Sequence, residues 1–270
     1  MNFLDLIFPK DLYCISCGRP LPVQGAGGIA LCERCGGEIL WVSGRCCEEC
    51  GRPLSDENPG RVCRDCAAGG GHRFRKGYAC AVYAGLAAGV VRDMKYRGKS
   101  WYADTLAALM AAKYLGGADP ETGELPSHDF LIPVPMSEKK RARRGYDQAA
   151  LLAKALARKV GVVCLKNALA RVRETDIMSS LAADERRQNL SEAFEVPCGM
   201  MDILKGKRLL LVDDVYTTGS TIDACAETLL AAGAESVVFI VFATGADVRR
   251  AEGRLAVVES PGQLRAKGPT

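Results

Sequence analysis

Eight cysteines and one pair of aspartates hold most of the chemistry in this sequence. The cysteines fall in four Cys-x-x-Cys pairs, Cys14/Cys17, Cys32/Cys35, Cys47/Cys50 and Cys63/Cys66, all before residue 67. Fourteen residues separate Cys17 from Cys32 and twelve separate Cys50 from Cys63, so the segment reads as a duplicated unit. A Cys-x-x-Cys turn points two thiolates at one ion. Two such turns at the ends of a short hairpin complete the tetrahedron that structural Zn²⁺ takes. Cys17-Gly18-Arg19-Pro20 and Cys50-Gly51-Arg52-Pro53 repeat the same punctuation, with Gly able to take the positive φ of a tight knuckle. Two structural zinc ions are expected. A four-thiolate shell leaves no open position for water, so the metal serves folding rather than catalysis. Disulfides, redox chemistry and an iron–sulfur cluster compete with this reading, and a reducing compartment favours the metal. Cys46, Cys80, Cys164, Cys198 and Cys225 lack paired spacing and read as small buried hydrophobes, with Cys46 a rival to Cys47 as ligand.

The second constellation lies in Leu209-Leu210-Leu211-Val212-Asp213-Asp214-Val215-Tyr216-Thr217-Thr218-Gly219-Ser220-Thr221. An apolar strand ends in two carboxylates, and a hydroxyl-rich turn then opens a helix. Unpaired amides at a helix start bind anions, Gly219 lets backbone approach a phosphate, and Thr217, Thr218, Ser220 and Thr221 can donate further hydrogen bonds. Asp213 and Asp214 can accept from sugar hydroxyls, as acidic residues at strand ends do in dinucleotide folds. A ribose 5-phosphate group fits both features. A plain capped helix would account for the hydroxyls but not for the acids. The spacing of nucleoside-triphosphate loops is missing, which argues against ATP hydrolysis.

These groups need a scaffold. The chain has 270 residues, 48% hydrophobic and 25% charged, which suits two globular domains. A net charge of +4 is too mild to imply nucleic-acid binding by itself. Only His72 and His128 are available for imidazole chemistry. The longest uncharged run, Gly77 to Val91, has 15 residues and is too short for a membrane helix. Met1 to Asp5 does not open a secretion signal, so a cytoplasmic location is expected. Gly69-Gly70-Gly71 marks a joint. Strands are expected at 79–84, 130–134, 162–165, 208–212 and 236–242. Helices are expected over 86–95, 101–115, 147–160 and 220–232. The segment 139–144, with Lys139, Lys140, Arg141, Arg143 and Arg144, reads as a basic loop. Strand–helix alternation implies a mostly parallel sheet flanked by helices, with ligands at the carboxyl ends of its strands.

The stretch from Leu209 to Thr221 resembles the phosphoribosyl-pyrophosphate motif of type I phosphoribosyltransferases. The wider chain is similar to the ComF family of bacterial competence proteins. That likeness rests on the cysteine pairs, Lys95-Tyr96-Arg97-Gly98, Pro133-Val134-Pro135, Arg144-Gly145-Tyr146-Asp147-Gln148 and the stretch from Arg186 to Phe194. It implies a double zinc ribbon over residues 1–70, a type I phosphoribosyltransferase-like domain over 76–245 and a tail over 246–270. It further implies that Asp213 and Asp214 hold the ribose hydroxyls, that Thr217 to Thr221 hold the 5-phosphate, and that magnesium bridges the pyrophosphate. Lys95, Arg97 and Arg144 are additional phosphate candidates. The family commonly has Arg-Gly-Phe-Asn-Gln where this chain has Arg144 to Gln148, and commonly has Gln where Met178 stands.

Chemistry at such a site is displacement of pyrophosphate from the anomeric carbon, with cations stabilising the departing charge. The five cations of 139–144 could instead contact a nucleic-acid backbone or form a solvated face. Three functions follow: a phosphoribosyltransferase with an undefined acceptor, a DNA-handling protein meeting single-stranded DNA and other DNA-uptake proteins, or a sensor of the metabolite.

Overall fold

The computed structural model describes residues 12–22, 28–69, 71–117, 126–173 and 193–247. Apolar runs at β1 (Lys76–Val82), β2 (Phe130–Pro133), β3 (Val163–Cys164), β6 (Arg208–Tyr216) and β7 (Ser236–Thr244) form one sheet in the order β1-β7-β6-β2-β3. Every pairing is parallel. Central strands of such a sheet are covered on both faces, which is why Leu209 to Val212 and Val237 to Ala243 are continuously apolar and buried. Side chains alternate faces along each strand. Leu210, Val212, Ile240 and Phe242 enter one core with the helices α3 (Gly85–Tyr96), α4 (Tyr102–Leu115) and α6 (Gln148–Val160). Leu209, Leu211, Phe239 and Val241 enter the other with α8 (Ser220–Ala231).

The cysteine-rich segment contributes two short helices, α1 (Glu33–Gly37) and α2 (Arg64–Ala68). Between its halves, residues 40–42 run antiparallel along the outer edge of β1. Val42 N–H donates to the Cys80 carbonyl and Val82 N–H to the Leu40 carbonyl, each at 2.8 Å.

Most expected elements stand within a few residues of their bounds, and the differences have local causes. Residues 138–144 are a helix, α5 (Glu138–Arg144), not a loop. Ser137 caps it by accepting from Lys140 N–H at 3.4 Å, and Gly145 ends it at φ 80°. The strand β6 continues four residues past Val212 because β7 keeps pairing with it, Asp213 opposite Val241 and Tyr216 opposite Thr244. A small antiparallel pair, β4 (Ala170–Arg171) with β5 (Phe194–Glu195), and the helix α7 (Cys198–Leu204) were not anticipated. Cys80 and Cys225 are buried, and burial pushes the Cys80 thiol up to about 12. Cys46 and Cys164 are half-buried, while Cys198 is exposed at the start of α7, contrary to expectation. Residues 175–178 and most of 186–194 lie outside the described residues, as does the tail beyond Asp247. Among the described residues, no helix is long and apolar enough to cross a membrane.

Candidate functional site

The strand β6 outlasts one neighbour. Its pairing with β2 ends at Pro133 opposite Val212, and the next contact is Val134 N–H donating to the Val212 carbonyl at 3.0 Å. Asp213 and Asp214 follow at once, on a ledge flanked by β7 alone. Asp213 Oδ1 accepts from the Asp214 N–H at 2.8 Å. Asp214 is 5% exposed, and its Oδ1 lies 2.8 Å from Lys95 Nζ, carried on the last turn of α3. Burial and the adjacent Asp214 push the Asp213 carboxyl up to about 8. Burial disfavours the Lys95 ammonium, yet Asp214 more than offsets it and the net shift is upward. The ledge thus sets the Lys95–Asp214 ion pair beside an Asp213 carboxyl that holds its proton more tightly than an ordinary carboxylate.

The loop beyond the ledge opens α8. Gly219 sits at φ 86°, and a Cβ there would come 2.4 Å from the Tyr216 hydroxyl, so only glycine fits the turn. With glycine as N-cap, no side chain closes the first turn of α8. Its leading amides are left for an anion. Thr217 and Thr218 are exposed, Ser220 and Thr221 half-buried, and the Thr218 and Ser220 hydroxyls lie 3.1 Å apart.

Cations gather nearby. Burial, then Arg171, Arg144, Lys95 and Arg143, hold the Lys140 ammonium below its ordinary value. Such mutual repulsion marks a place where an anion would be welcome. The Arg144 guanidinium lies 5.1 Å over the Tyr96 ring and donates to Gln148 Oε1 at 2.8 Å. Arg97 is turned elsewhere: it pairs with Asp93 at 3.0 Å, with its side chain 74% exposed.

The eight paired cysteines form two clusters, Cys14, Cys17, Cys32, Cys35 and Cys47, Cys50, Cys63, Cys66. Four sulfurs about 2.3 Å from zinc stand about 3.8 Å from one another. The observed Sγ separations are 3.8 Å for Cys17 and Cys32 and 3.7 Å for Cys47 with Cys66 and Cys50 with Cys63. Both clusters fit zinc. Cys46 Sγ instead faces the Gly44 carbonyl at 3.5 Å, which leaves Cys47 as the ligand. His72 borders the second cluster, its Nε2 3.2 Å from Cys66 Sγ and its Nδ1 2.6 Å from Asp223 Oδ2 on α8.

The second ribbon also reaches the turn that opens α8. Arg52, 5% exposed, donates from Nη2 to the Thr217 carbonyl at 2.6 Å and pairs through Nη1 with Asp65. Asn58 Nδ2 donates to Asp247 Oδ2 at 2.7 Å, just past β7.

Comparisons with known proteins agree with this geometry. The double zinc ribbon domain family matches residues 3–67, and the phosphoribosyl transferase domain family matches residues 144–260. Competence protein F of Haemophilus influenzae is 36% identical over 149 residues, covering 55% of this chain and 63% of that protein. Competence protein ComFC of Bacillus subtilis is 25% identical over 219 residues, 75% of this chain and 79% of its own length. The chain combines a double zinc ribbon with a phosphoribosyl transferase domain and is similar to competence proteins. Another relative is the DNA utilization protein YhgH of Escherichia coli K12, 32% identical over 58% of this chain and 66% of its own length. The chain thus spans just under two thirds of the Haemophilus and Escherichia relatives. Among solved structures, a purine phosphoribosyltransferase from Pyrococcus horikoshii matches at 15% identity and a TM-score of 0.30, covering 59% of this chain and 94% of its own. The glutamine phosphoribosylpyrophosphate amidotransferase of B. subtilis matches at 19% and 0.34, covering 52% and 26%. The fold assignment rests on the domain match and the parallel sheet, not on these scores.

Of the residues singled out from sequence, the structure brings together Asp213, Asp214 and Lys95, and places the 217–221 turn directly beyond the acids. Arg144 lies close enough to Lys95 to oppose its charge. The Arg144 to Gln148 motif joins two helices: Gly145 ends α5, Asp147 caps α6 by accepting from Ala150 N–H at 2.9 Å, and the Tyr146 hydroxyl reaches the Met94 carbonyl. Arg52, His72, Asp223 and Asp247 were missed. The repeated Cys-Gly-Arg-Pro was a signal for Arg52, but it reads equally well as turn chemistry alone.

Proposed function

We propose that this chain is a ComF-type protein that binds phosphoribosyl pyrophosphate with magnesium at the β6–α8 site and acts in natural competence, in the uptake or processing of DNA. The observation that carries this is the Asp213–Asp214 ledge, with Lys95 on it, immediately before a helix opened by Gly219. Asp213 and Asp214 accept from the ribose hydroxyls, and the amides and hydroxyls of 217–221 hold the 5-phosphate. Lys95, Lys140 and Arg144 neutralise the pyrophosphate. Bound magnesium would supply further charge compensation on the pyrophosphate oxygens. In turnover, an acceptor's lone pair forms the new bond to the anomeric carbon while the bond to pyrophosphate breaks, its electron pair leaving with that group. The names of the relatives support the competence setting. The exposed Lys139, Arg141 and Arg143 on α5 are a surface suited to single-stranded DNA, through salt-sensitive phosphate contacts.

Calorimetric titration with phosphoribosyl pyrophosphate, with and without magnesium, tests the reading. Binding should require magnesium and disappear in Asp213→Asn/Asp214→Asn while the fold persists. The same variant should transform a naturally competent host no better than a deletion strain. Wild-type protein that ignores the ligand would sink the proposal. Pyrophosphate release on adding nucleobases, nucleotides or DNA would identify a transferase, and binding without release a sensor.

A further inference from the structure

We infer that Arg52 is a positioning residue for the phosphate-binding turn, so that the second zinc ribbon holds that turn in its ligand-ready shape. The inference rests on the reading of 217–221 as a sugar-phosphate site.

The geometry begins at the metal knuckle. Cys47 N–H donates to the Arg52 carbonyl at 2.7 Å and Gly51 N–H to the Cys47 carbonyl at 2.9 Å, so the turn bearing Arg52 is the turn that presents two thiolates. Gly51 stands at φ 71°, and a Cβ there would lie 2.3 Å from the Gly77 carbonyl oxygen at the start of β1. The knuckle is thereby pressed against the sheet. Its guanidinium extends to the far side, where the Thr217 carbonyl and Asp65 accept from separate nitrogens and the Tyr216 ring lies 5.8 Å away.

A planar trans peptide directs its C=O and its N–H to opposite sides. No cis bond occurs among the described residues. Fastening the Thr217 carbonyl to Arg52 therefore turns the Thr218 N–H away from the ribbon, out of the protein toward the anion. The Arg side chain does not touch the ligand; it decides which way a ligand-binding amide faces.

A second contact restrains the other side of the same turn. Asp223, on the first turn of α8, accepts from His72 at 2.6 Å and from Arg73 N–H at 2.9 Å. His72 in turn stacks on Phe74 at 4.4 Å and adjoins Cys66. The turn from Thr217 to Asp223 is held at both ends by residues of the second ribbon and its exit strand. The equivalent of Arg52 in the first repeat, Arg19, is exposed.

The test is hydrogen–deuterium exchange over residues 216–221 in the full chain, with zinc content measured alongside. Arg52→Met should keep two zinc ions, while exchange in that turn rises about tenfold or more through loss of a charge-assisted hydrogen bond. Arg52→Lys should recover only part of the protection, because one ammonium cannot reproduce a fork. Arg19→Met should leave the turn unchanged. So should Tyr102→Phe, which loosens the first ribbon's contact with α4 and serves as control for general destabilisation. Affinity for phosphoribosyl pyrophosphate with magnesium should fall about tenfold in Arg52→Met. Wild-type exchange in a zinc-replete Arg52→Met protein would overturn the inference. Should that variant lose zinc, Arg52→Lys decides, and full wild-type protection there would overturn it as well. If wild-type protein fails to bind the ligand while Arg52→Met still frees the turn, the positioning role stands and the ligand reading falls.

Discussion

The two zinc ribbons share a motif and differ in nearly everything around it. In the second, all four thiolates are buried; in the first, Cys17 is exposed and Cys32 half-buried. Gly51 is wedged against β1, whereas a side chain on Gly18, at nearly the same φ, would meet nothing within 4 Å. The second ribbon adds its four cysteines to the core that contains α8. The first touches the opposite helical face, where Ala30 N–H donates to Thr105 Oγ1 at 3.3 Å and the Tyr102 hydroxyl reaches the Ile15 carbonyl. One copy of a duplicated module can thus pack into the candidate site while the other remains an accessory on the scaffold. Motif alone does not tell which.

That contrast can be broken by experiment. The largest effect is expected for Cys50→Ser, because structural zinc contributes about 10–16 kcal/mol in small metal domains, comparable with the whole stability of a typical fold. Zinc content should fall from two ions to one and the cooperative thermal transition should vanish. Cys17→Ser should lose an ion as well but keep the melt of the sheet domain. Equal damage from both would erase the difference between the ribbons.

A smaller effect separates the two knuckle glycines. Gly18→Ala carries only the cost of a side chain at positive φ, about 1–2 kcal/mol. Gly51→Ala adds the clash with the Gly77 carbonyl and should lose about 3 kcal/mol or more, read from denaturant midpoints. Matching losses would mean that the knuckle yields without strain.

A pH-dependent effect tells ledge from ribbon. The folded value of Asp213 lies above its ordinary value, so its contribution to stability is full in acid and fades as pH rises through about 8. Asp213→Asn removes that penalty. Its melting temperature should match wild type near pH 4 and exceed it at pH 8 to 9. A constant offset across that range would refute the burial of the charge. Changes on the first ribbon should show no such pH dependence.

Local order in the chain disclosed most of the elements and both cysteine clusters, for definite reasons. A four-thiolate zinc shell requires cysteines at knuckle spacing, and the buried strands β6 and β7 must be continuously apolar, so both are visible in a linear reading. Helix α5 was hidden because a run of cations says more about charge than about shape, and its caps, Ser137 and Gly145, are also common in loops. The reach of β6 past Val212 depends on pairing with β7, a contact no local pattern contains. Arg52 was hidden for a related reason. Arg19 and Arg52 have the same neighbours in sequence, and only the packing of β1 and β6 makes one a surface residue and the other a strut 165 positions from its partner Thr217.

Residues 40–42, laid along β1, have a further effect on how copies of the protein meet. An open sheet with bare flanks invites another chain to hydrogen-bond to it and so to propagate into aggregates. Here the hydrogen-bonding groups of Cys80 and Val82 on one flank are already occupied. The opposite flank is β3, only two residues long and too short to template a neighbour. The connector between the ribbons therefore doubles as a guard against runaway self-assembly.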